Sequence, residues 1–218
     1  MSDPGGTVWI EGPLRLAVLI SGSGRTLANI SQAIADGELR AEIACVISSR
    51  QGVYGIERAQ KLGIPTHVVP RKSFASAADF SDAVYDIIRK HKANFVCLAG
   101  FLSLLSIPED YKHRVLNIHP ALLPAFGGPG MFGHHVHEAV LEAGCKVSGC
   151  TVHFCDDTYD TGPILVQRTC PVHDDDSADS LADRVFEQEC LAYPQALKLI
   201  ASGRVQIRGC RTITHLTV

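Results

Sequence analysis

The sequence predicts an α/β protein, a doubly wound, mostly parallel twisted sheet that finishes in a C-terminal antiparallel excursion. Three observations predict it. Up to residue 119, β-rich apolar runs alternate with stretches of helical periodicity, the rhythm that places helices on both faces of a parallel sheet. The first run leads at once into a glycine-rich turn, Ser21-Gly22-Ser23-Gly24-Arg25-Thr26. After Glu142 the rhythm breaks, and two strand signals flank an acidic loop with no helix between them.

The elements follow in order. Leu14–Ile20 is a β-rich run, and the glycine turn passes into a helix over 26–35. Ala41–Ser48 is a second strand, and 54–62 is a helix stopped by Gly63 and Pro65. A short strand over 66–69 precedes an amphipathic helix over 79–91 with Phe80, Val84, Ile87 and Ile88 on one side. Two buried strands follow, 94–98 and Val115–His119. Strands over 146–155 and 164–170 enclose the loop Asp156-Asp157-Thr158-Tyr159-Asp160-Thr161-Gly162-Pro163. A last helix over 177–201 starts on Ser/Asp capping candidates and ends before Gly203.

Composition bounds the function. With 218 residues, 46% hydrophobic and 20% charged, the chain reads as one compact domain over 1–218 with its core at about 14–203. A net charge of -3 leaves no electrostatic footprint for nucleic acid or an anionic membrane, so small-molecule partners are expected. No apolar stretch approaches the roughly 20 residues of a membrane span, and residues 1–13 are too acidic and too broken for a secretory signal. A cytoplasmic location follows, with a monomer or homodimer as the state.

Asn117-Ile118-His119-Pro120 carries the strongest chemical signal. Positions two apart on a strand share a face, so Asn117 and His119 point one way while Ile118 turns into the core, and Pro120 closes the strand. The carboxyl ends of strands are where open α/β sheets bind ligands. A lone strand histidine is ordinarily a core residue; the amide beside it changes the reading. An amide donor to an oxyanion contributes about 3 kcal/mol, and a histidine near neutrality moves protons for roughly 10²- to 10⁴-fold, a combination suited to addition at a carbonyl.

Two further segments border this chemistry. In the glycine turn, Gly22 and Gly24 permit close backbone approach and the next helix offers free N–H groups to an anion. Leu27 stands where a dinucleotide fingerprint has its third glycine and no G-K-[ST] is present, so a small phosphate ester beside Arg25, or a tight turn with no ligand, are the two readings. In the acidic loop, Asp156 and Asp157 read as solvated turn residues, whereas Asp160, next to the glycine and proline that restrain the backbone, is placed to orient His119 or raise its pKa. Gly133-His134-His135-Val136-His137 reads as a loop bordering the site, with a helix opening at Glu138. The eight cysteines contain no C-x-x-C pair; Cys145, Cys150 and Cys155 near His153 do not match zinc spacings, and buried reduced thiols with no metal are expected.

Taken together, Ile20-Ser21-Gly22-Ser23-Gly24, Leu98-Ala99-Gly100-Phe101, Asn117-Ile118-His119-Pro120 with Leu122-Leu123-Pro124, and Val152-His153-Phe154 leading to Asp160-Thr161-Gly162-Pro163 resemble the phosphoribosylglycinamide formyltransferases, the folate-dependent transformylases of purine synthesis. The resemblance covers about 14–203. It implies transfer of a formyl group from the co-substrate 10-formyltetrahydrofolate to the amine of glycinamide ribonucleotide, without metal or covalent enzyme intermediate. It implies that Asn117 stabilises the tetrahedral oxyanion, that His119 shuttles protons and binds the same oxygen, and that Asp160 organises His119 and a relaying water. Gly22, Ser23, Gly24, Arg25 and Thr26 would hold the ribose phosphate and Glu189 the ribose; Phe101, Leu102, Leu104 and Leu105 would line the pterin, its edge read by backbone around Asp156 and Asp157.

The chain departs from that pattern at three places. Arg25-Thr26 stands where the family often has Ser-Asn, Leu102-Ser103 where many members carry Met-Arg, and the stretch 126–132 is longer than the shortest versions of its loop and reads as a lid with glycine hinges. Methionyl-tRNA and sugar formyltransferases share the Asn, His and Asp but carry a further C-terminal domain, and formyltetrahydrofolate deformylase an N-terminal one, for which the chain is too short. A non-catalytic phosphate- or folate-binding module is the remaining alternative.

Overall fold

A computed structural model describes residues 8, 10 and 12–214, so most of the 1–13 segment read for a secretory signal lies outside the described residues. The chain forms two compact units, Val8–Leu116 and one that begins at Asn117.

In the first unit the order is β1 (Leu14–Ile20), α1 (Arg25–Ala35), β2 (Ala41–Ser48), α2 (Tyr54–Lys61), β3 (Thr66–Val68), a 3₁₀ turn at Arg71–Ser73, α3 (Ala77–Lys90), β4 (Phe95–Leu98) and a second 3₁₀ turn at Glu109–Tyr111. The strands lie in the order β3-β2-β1-β4, every observed pairing parallel. Leu16, Ala17, Val18, Leu19 and Ile20 are all fully buried, the continuous burial of a strand covered on both faces. The helix predicted over 79–91 starts two residues earlier, because Ser76 caps it by accepting the Asp79 N–H at 3.0 Å.

β5 (Val115–His119) carries the chain into the second unit, which continues with α4 (His134–Glu142), β6 (Val147–Phe154), β7 (Ile164–Pro171), α5 (Ala178–Ala201), β8 (Val205–Arg208) and β9 (Arg211–Thr214). Here the order is β5-β6-β7-β9-β8, with β6 and β7 antiparallel as the strand signals around the acidic loop predict. Ser177 starts α5 through a capping box with Ser180, and the helix packs on β6 and β7 with Leu181, Val185, Leu197 and Ile200 buried, about 1.5–3 kcal/mol each.

One sequence expectation is corrected. His134, His135 and His137 belong to α4 rather than to a loop, since the helix starts directly after Gly133 and not at Glu138. β8 and β9 extend the unit past residue 203; the Val205/Ile207 alternation followed by Gly209 is the signal that marks them, and both apolar side chains are buried.

Candidate active site

β5 delivers its residues as the alternation requires. Ile118 is buried in the core, Asn117 is half-buried, and His119 is 3% exposed at the strand's end. An imidazole buried this deeply is held only if its nitrogens find partners. They do: His119 Nε2 lies 2.7 Å from the Phe126 carbonyl oxygen and Nδ1 lies 3.5 Å from Asp160 Oδ2.

Asp160 reaches this position because the loop after β6 is drawn closed at its base. The Phe154 N–H donates to the Pro163 carbonyl at 2.9 Å, and a Cβ at Gly162 would collide with the Phe154 carbonyl, so only glycine lets the Thr161-Gly162-Pro163 segment pass there. Asp156 braces the loop from outside, its carboxylate accepting from the Thr158 N–H at 3.1 Å and from the Thr161 hydroxyl at 2.9 Å. Its side chain is therefore a turn element, as its composition suggested. Asp160 itself sits in the left-handed region at φ 58, a conformation costing about 1–2 kcal/mol for a residue with a Cβ and best tolerated by Asn and Asp.

Around Asp160 the second unit assembles a compact polar cluster. Its Oδ2 accepts the Gly128 N–H at 2.9 Å; its Oδ1 accepts from Asn117 Nδ2 at 3.3 Å and lies 3.5 Å from His153 Nε2. Asn117 Nδ2 also approaches His153 Nε2 at 3.2 Å. Both imidazoles share one design. Each has a backbone carbonyl on one nitrogen, Phe126 for His119 and Phe154 for His153 at 3.0 Å, and the Asp160 carboxylate on the other. With its proton on the carbonyl side, the neutral His119 ring turns its Nδ1 lone pair toward the Asp160 carboxylate, which stabilises a proton arriving there.

The charges respond to this arrangement. Burial, offset in part by the Asp160 carboxylate and the Phe126 carbonyl, holds the His119 pKa below its ordinary 6.5. Burial works the other way on Asp160, but the His153 ring, the His119 ring and the Gly128 N–H outweigh it and keep the carboxyl below its ordinary 3.8. The cluster at neutral pH is thus a carboxylate facing a neutral base, with an amide beside both.

Of the sequence-derived candidates, Asn117, His119 and Asp160 come together. His153, the Phe126 carbonyl and the Gly128 N–H join them without having been assigned a part. The period-two step from Thr151 to His153 on β6 was the available signal for the histidine; nothing in a residue name announces a backbone carbonyl. Glu189 lies half-buried on α5; burial first, and the Glu189 carboxylate after it, push the nearby Cys150 thiol up to about 12.

The remaining candidates lie in the first unit. Gly22, Ser23 and Arg25 are exposed, Thr26 is buried, and Gly24 at φ 70 opens α1 with no side-chain cap, at the helix end whose dipole favours an anion. The turn is clasped by α2: the Gly55 N–H donates to the Gly22 carbonyl at 3.1 Å, and a Cβ on Gly24 would stand 2.7 Å from Gly55 Cα. Ser21 ties the turn to the next loop, accepting the Leu102 N–H at 3.1 Å while its hydroxyl pairs with Ser49 at 2.6 Å. In that loop Phe101 and Leu105 are buried, Phe101 stacked on Phe80 at 6.2 Å, while Leu102 and Leu104 are half-buried. Asp157 is exposed on the acidic loop of the second unit. Among the described residues no group of three His, Cys, Asp or Glu is arranged to hold a metal, and no helix is long and apolar enough to cross a membrane.

The formyl transferase family matches residues 14–197. The chain is 41% identical over 196 residues to the trifunctional purine biosynthetic protein adenosine-3 of Gallus gallus, covering 89% of this chain and 19% of that protein, so it spans about a fifth of that relative's length. It is 38% identical over 197 residues to the chloroplastic phosphoribosylglycinamide formyltransferase of Arabidopsis thaliana, covering 89% and 68% respectively. Among solved structures it resembles glycinamide ribonucleotide transformylase 1 from Symbiobacterium toebii, with a TM-score of 0.88, 36% identity, and 97% and 99% of the two chains covered.

Proposed function

The chain belongs to the formyl transferase family, and from that membership we propose that it transfers the formyl group of 10-formyltetrahydrofolate to the amine of glycinamide ribonucleotide, in purine nucleotide biosynthesis. The observation that carries the reading is the meeting of Asn117, His119 and Asp160 at the end of β5, where the Asp160 carboxylate accepts from the Asn117 amide at 3.3 Å and faces His119 Nδ1 at 3.5 Å.

In this reading the amine attacks the formyl carbon directly. The new C–N bond forms as the carbonyl oxygen takes up charge, and the Asn117 amide donates to that oxygen, with His119 as the second contact once it is protonated. His119 receives the proton lost by the attacking amine; Asp160, already 3.5 Å from its Nδ1, stabilises the imidazolium and organises a water that carries the proton on. Collapse of the intermediate breaks the bond to N10 of the folate, which leaves with a proton. Neither a metal nor an acyl-enzyme enters the sequence of steps.

The ligand contacts follow the same reading. Gly22, Ser23, Gly24, Arg25 and Thr26 bind the ribose phosphate, Glu189 the ribose, and Phe101, Leu102, Leu104, Leu105, Asn117 and the backbone at Asp156 and Asp157 the pterin. The half-buried Leu102 and Leu104 have surface left for it, while Phe101 and Leu105 act from beneath. The stretch 126–132 is a lid, a role supported by the bonds of Phe126 and Gly128 to the catalytic groups. We take 1–218 as one functional domain, cytoplasmic, and monomeric or homodimeric.

The deciding experiment is to follow the absorbance of 10-formyltetrahydrofolate with the protein, with and without glycinamide ribonucleotide. Consumption that depends on the amine is the expected result. Amine-independent loss would make the chain a deformylase, and no change in either arm would leave a binding module.

A further inference from the structure

We propose that Thr151 is a positioning residue for formyl transfer, its hydroxyl holding the 121–126 turn so that the Phe126 carbonyl meets His119 and the Gly128 N–H meets Asp160. This rests on the catalytic reading of His119 and Asp160 given above, and adds to it a side chain that touches neither.

Thr151 lies in the middle of β6 and is 0% exposed. A hydroxyl has one proton to give and two lone pairs to fill, and all three are matched. It donates to the Ala121 carbonyl at 2.6 Å, accepts the Leu123 N–H at 3.0 Å, and accepts from Gln167 Nε2 at 3.0 Å. Gln167 stands directly across the ladder from Thr151, and its amide also donates to the Leu123 carbonyl at 2.9 Å. Two side chains on β6 and β7 thus grip three backbone groups of the segment that leaves β5.

What that segment does next gives the grip its consequence. The Ala125 N–H closes a turn on the Leu122 carbonyl at 3.1 Å, and the chain then presents the Phe126 carbonyl to His119 Nε2 at 2.7 Å and the Gly128 N–H to Asp160 Oδ2 at 2.9 Å. Phe126 sits at φ 54, outside the comfortable range of an aromatic residue, so the carbonyl's aim depends on its flanks being held. Residues 121 and 123 are the nearest anchored points upstream. A valine at 151 would match the shape of threonine but leave the Leu123 N–H and the Ala121 carbonyl without their side-chain partner, and the turn would have to move to recover them. Since the Phe126 carbonyl favours the protonated form of His119, its displacement lowers the pH at which that ring titrates.

The test compares Thr151→Val with Thr151→Ser in the full chain, reading kcat, the KM of each substrate, the melting temperature, and the NMR titration of His119. Thr151→Val is expected to lower kcat by about tenfold or more with KM of the phosphorylated amine within about twofold, and to move the His119 titration to lower pH. Thr151→Ser, which keeps the hydroxyl, restores both. A folded Thr151→Val protein with wild-type kcat and wild-type His119 titration overturns the proposal, as does a serine variant equally impaired in both. If the valine variant does not fold, Gln167→Met, at an exposed position, is to show the same direction of titration shift, and an unmoved titration there overturns it. Absence of amine-dependent transfer by the wild-type chain would sink the catalytic reading instead, and the titration comparison would still decide whether Thr151 positions the ring.

Discussion

His119 and Asp160 face each other at 3.5 Å, Nδ1 to Oδ2, across 41 positions of sequence that include a helix and a strand. That separation is long for a strong hydrogen bond and short for a charge interaction, so the pair stabilises a proton on His119 when one arrives and does not hold it there beforehand. Both groups are nearly sealed from water, with side chains 4% and 8% exposed, which strengthens the coupling relative to a surface pair.

Replacing His119 by alanine removes the base and a partner of Asp160. Turnover is expected to fall by roughly 10²- to 10⁴-fold, with the far-ultraviolet circular dichroism spectrum retained. An insoluble or unfolded variant would assign the ring to the core.

Asp160→Asn preserves shape and removes the charge. The Gly128 N–H keeps an acceptor, but His119 loses the carboxylate that raises its pKa, so the acid limb of the kcat profile moves to lower pH and kcat drops by at least about 100-fold. A pH–rate series on the variant checks both; an unmoved acid limb would mean that the two groups are not coupled.

Stability is expected to decline in acid in two stages. His119 titrates below 6.5 in the folded protein, so the unfolded chain binds the more protons there and stability is lost as pH falls from about that value through the folded pKa. Asp160 is likewise depressed below 3.8, so its contribution is present above that value and lost as pH falls through the folded one. Denaturant melts of wild type and His119→Asn between pH 7 and 5 should converge as pH falls.

Arg25 is exposed at the first position of α1, the helix end whose dipole favours a phosphate. Arg25→Ala should raise the KM for the phosphorylated substrate several-fold and leave kcat nearly unchanged, since a contact made equally in ground and transition states acts on binding alone. An unaltered KM removes Arg25 from the site.

Gly55→Ala is predicted to be worse than its distance in sequence from the turn suggests. The added Cβ would stand 2.5 Å from Ile20 Cδ1 and 2.9 Å from the Gly22 carbonyl, so α2 must shift away from the turn it clasps. Both a loss of about 1–3 kcal/mol in stability and a raised KM for the phosphorylated substrate are expected, read by denaturant titration and steady-state kinetics.

Much was legible from residue types and spacing alone. The order of strands and helices through Val115–His119 followed from periodicity, because apolar alternation is a local property that each segment carries by itself. The shared face of Asn117 and His119 followed from the pleat, and the part given to Asp160 from its place beside the glycine and proline that restrain its loop. Other features lay beyond it. The helical placement of His134 and His135 hinged on where a helix starts, which cap geometry settles and composition does not.

The sequence by itself determined which side chains could do the chemistry and on which elements they ride, since hydrogen-bonding capacity and period are written in residue identity. Only the folded chain decided what faces them. The Phe126 carbonyl on His119, the Gly128 N–H on Asp160 and the inclusion of His153 depend on backbone groups and turns that every residue possesses alike, and these acquire chemical meaning only when packing between distant segments fixes where they point.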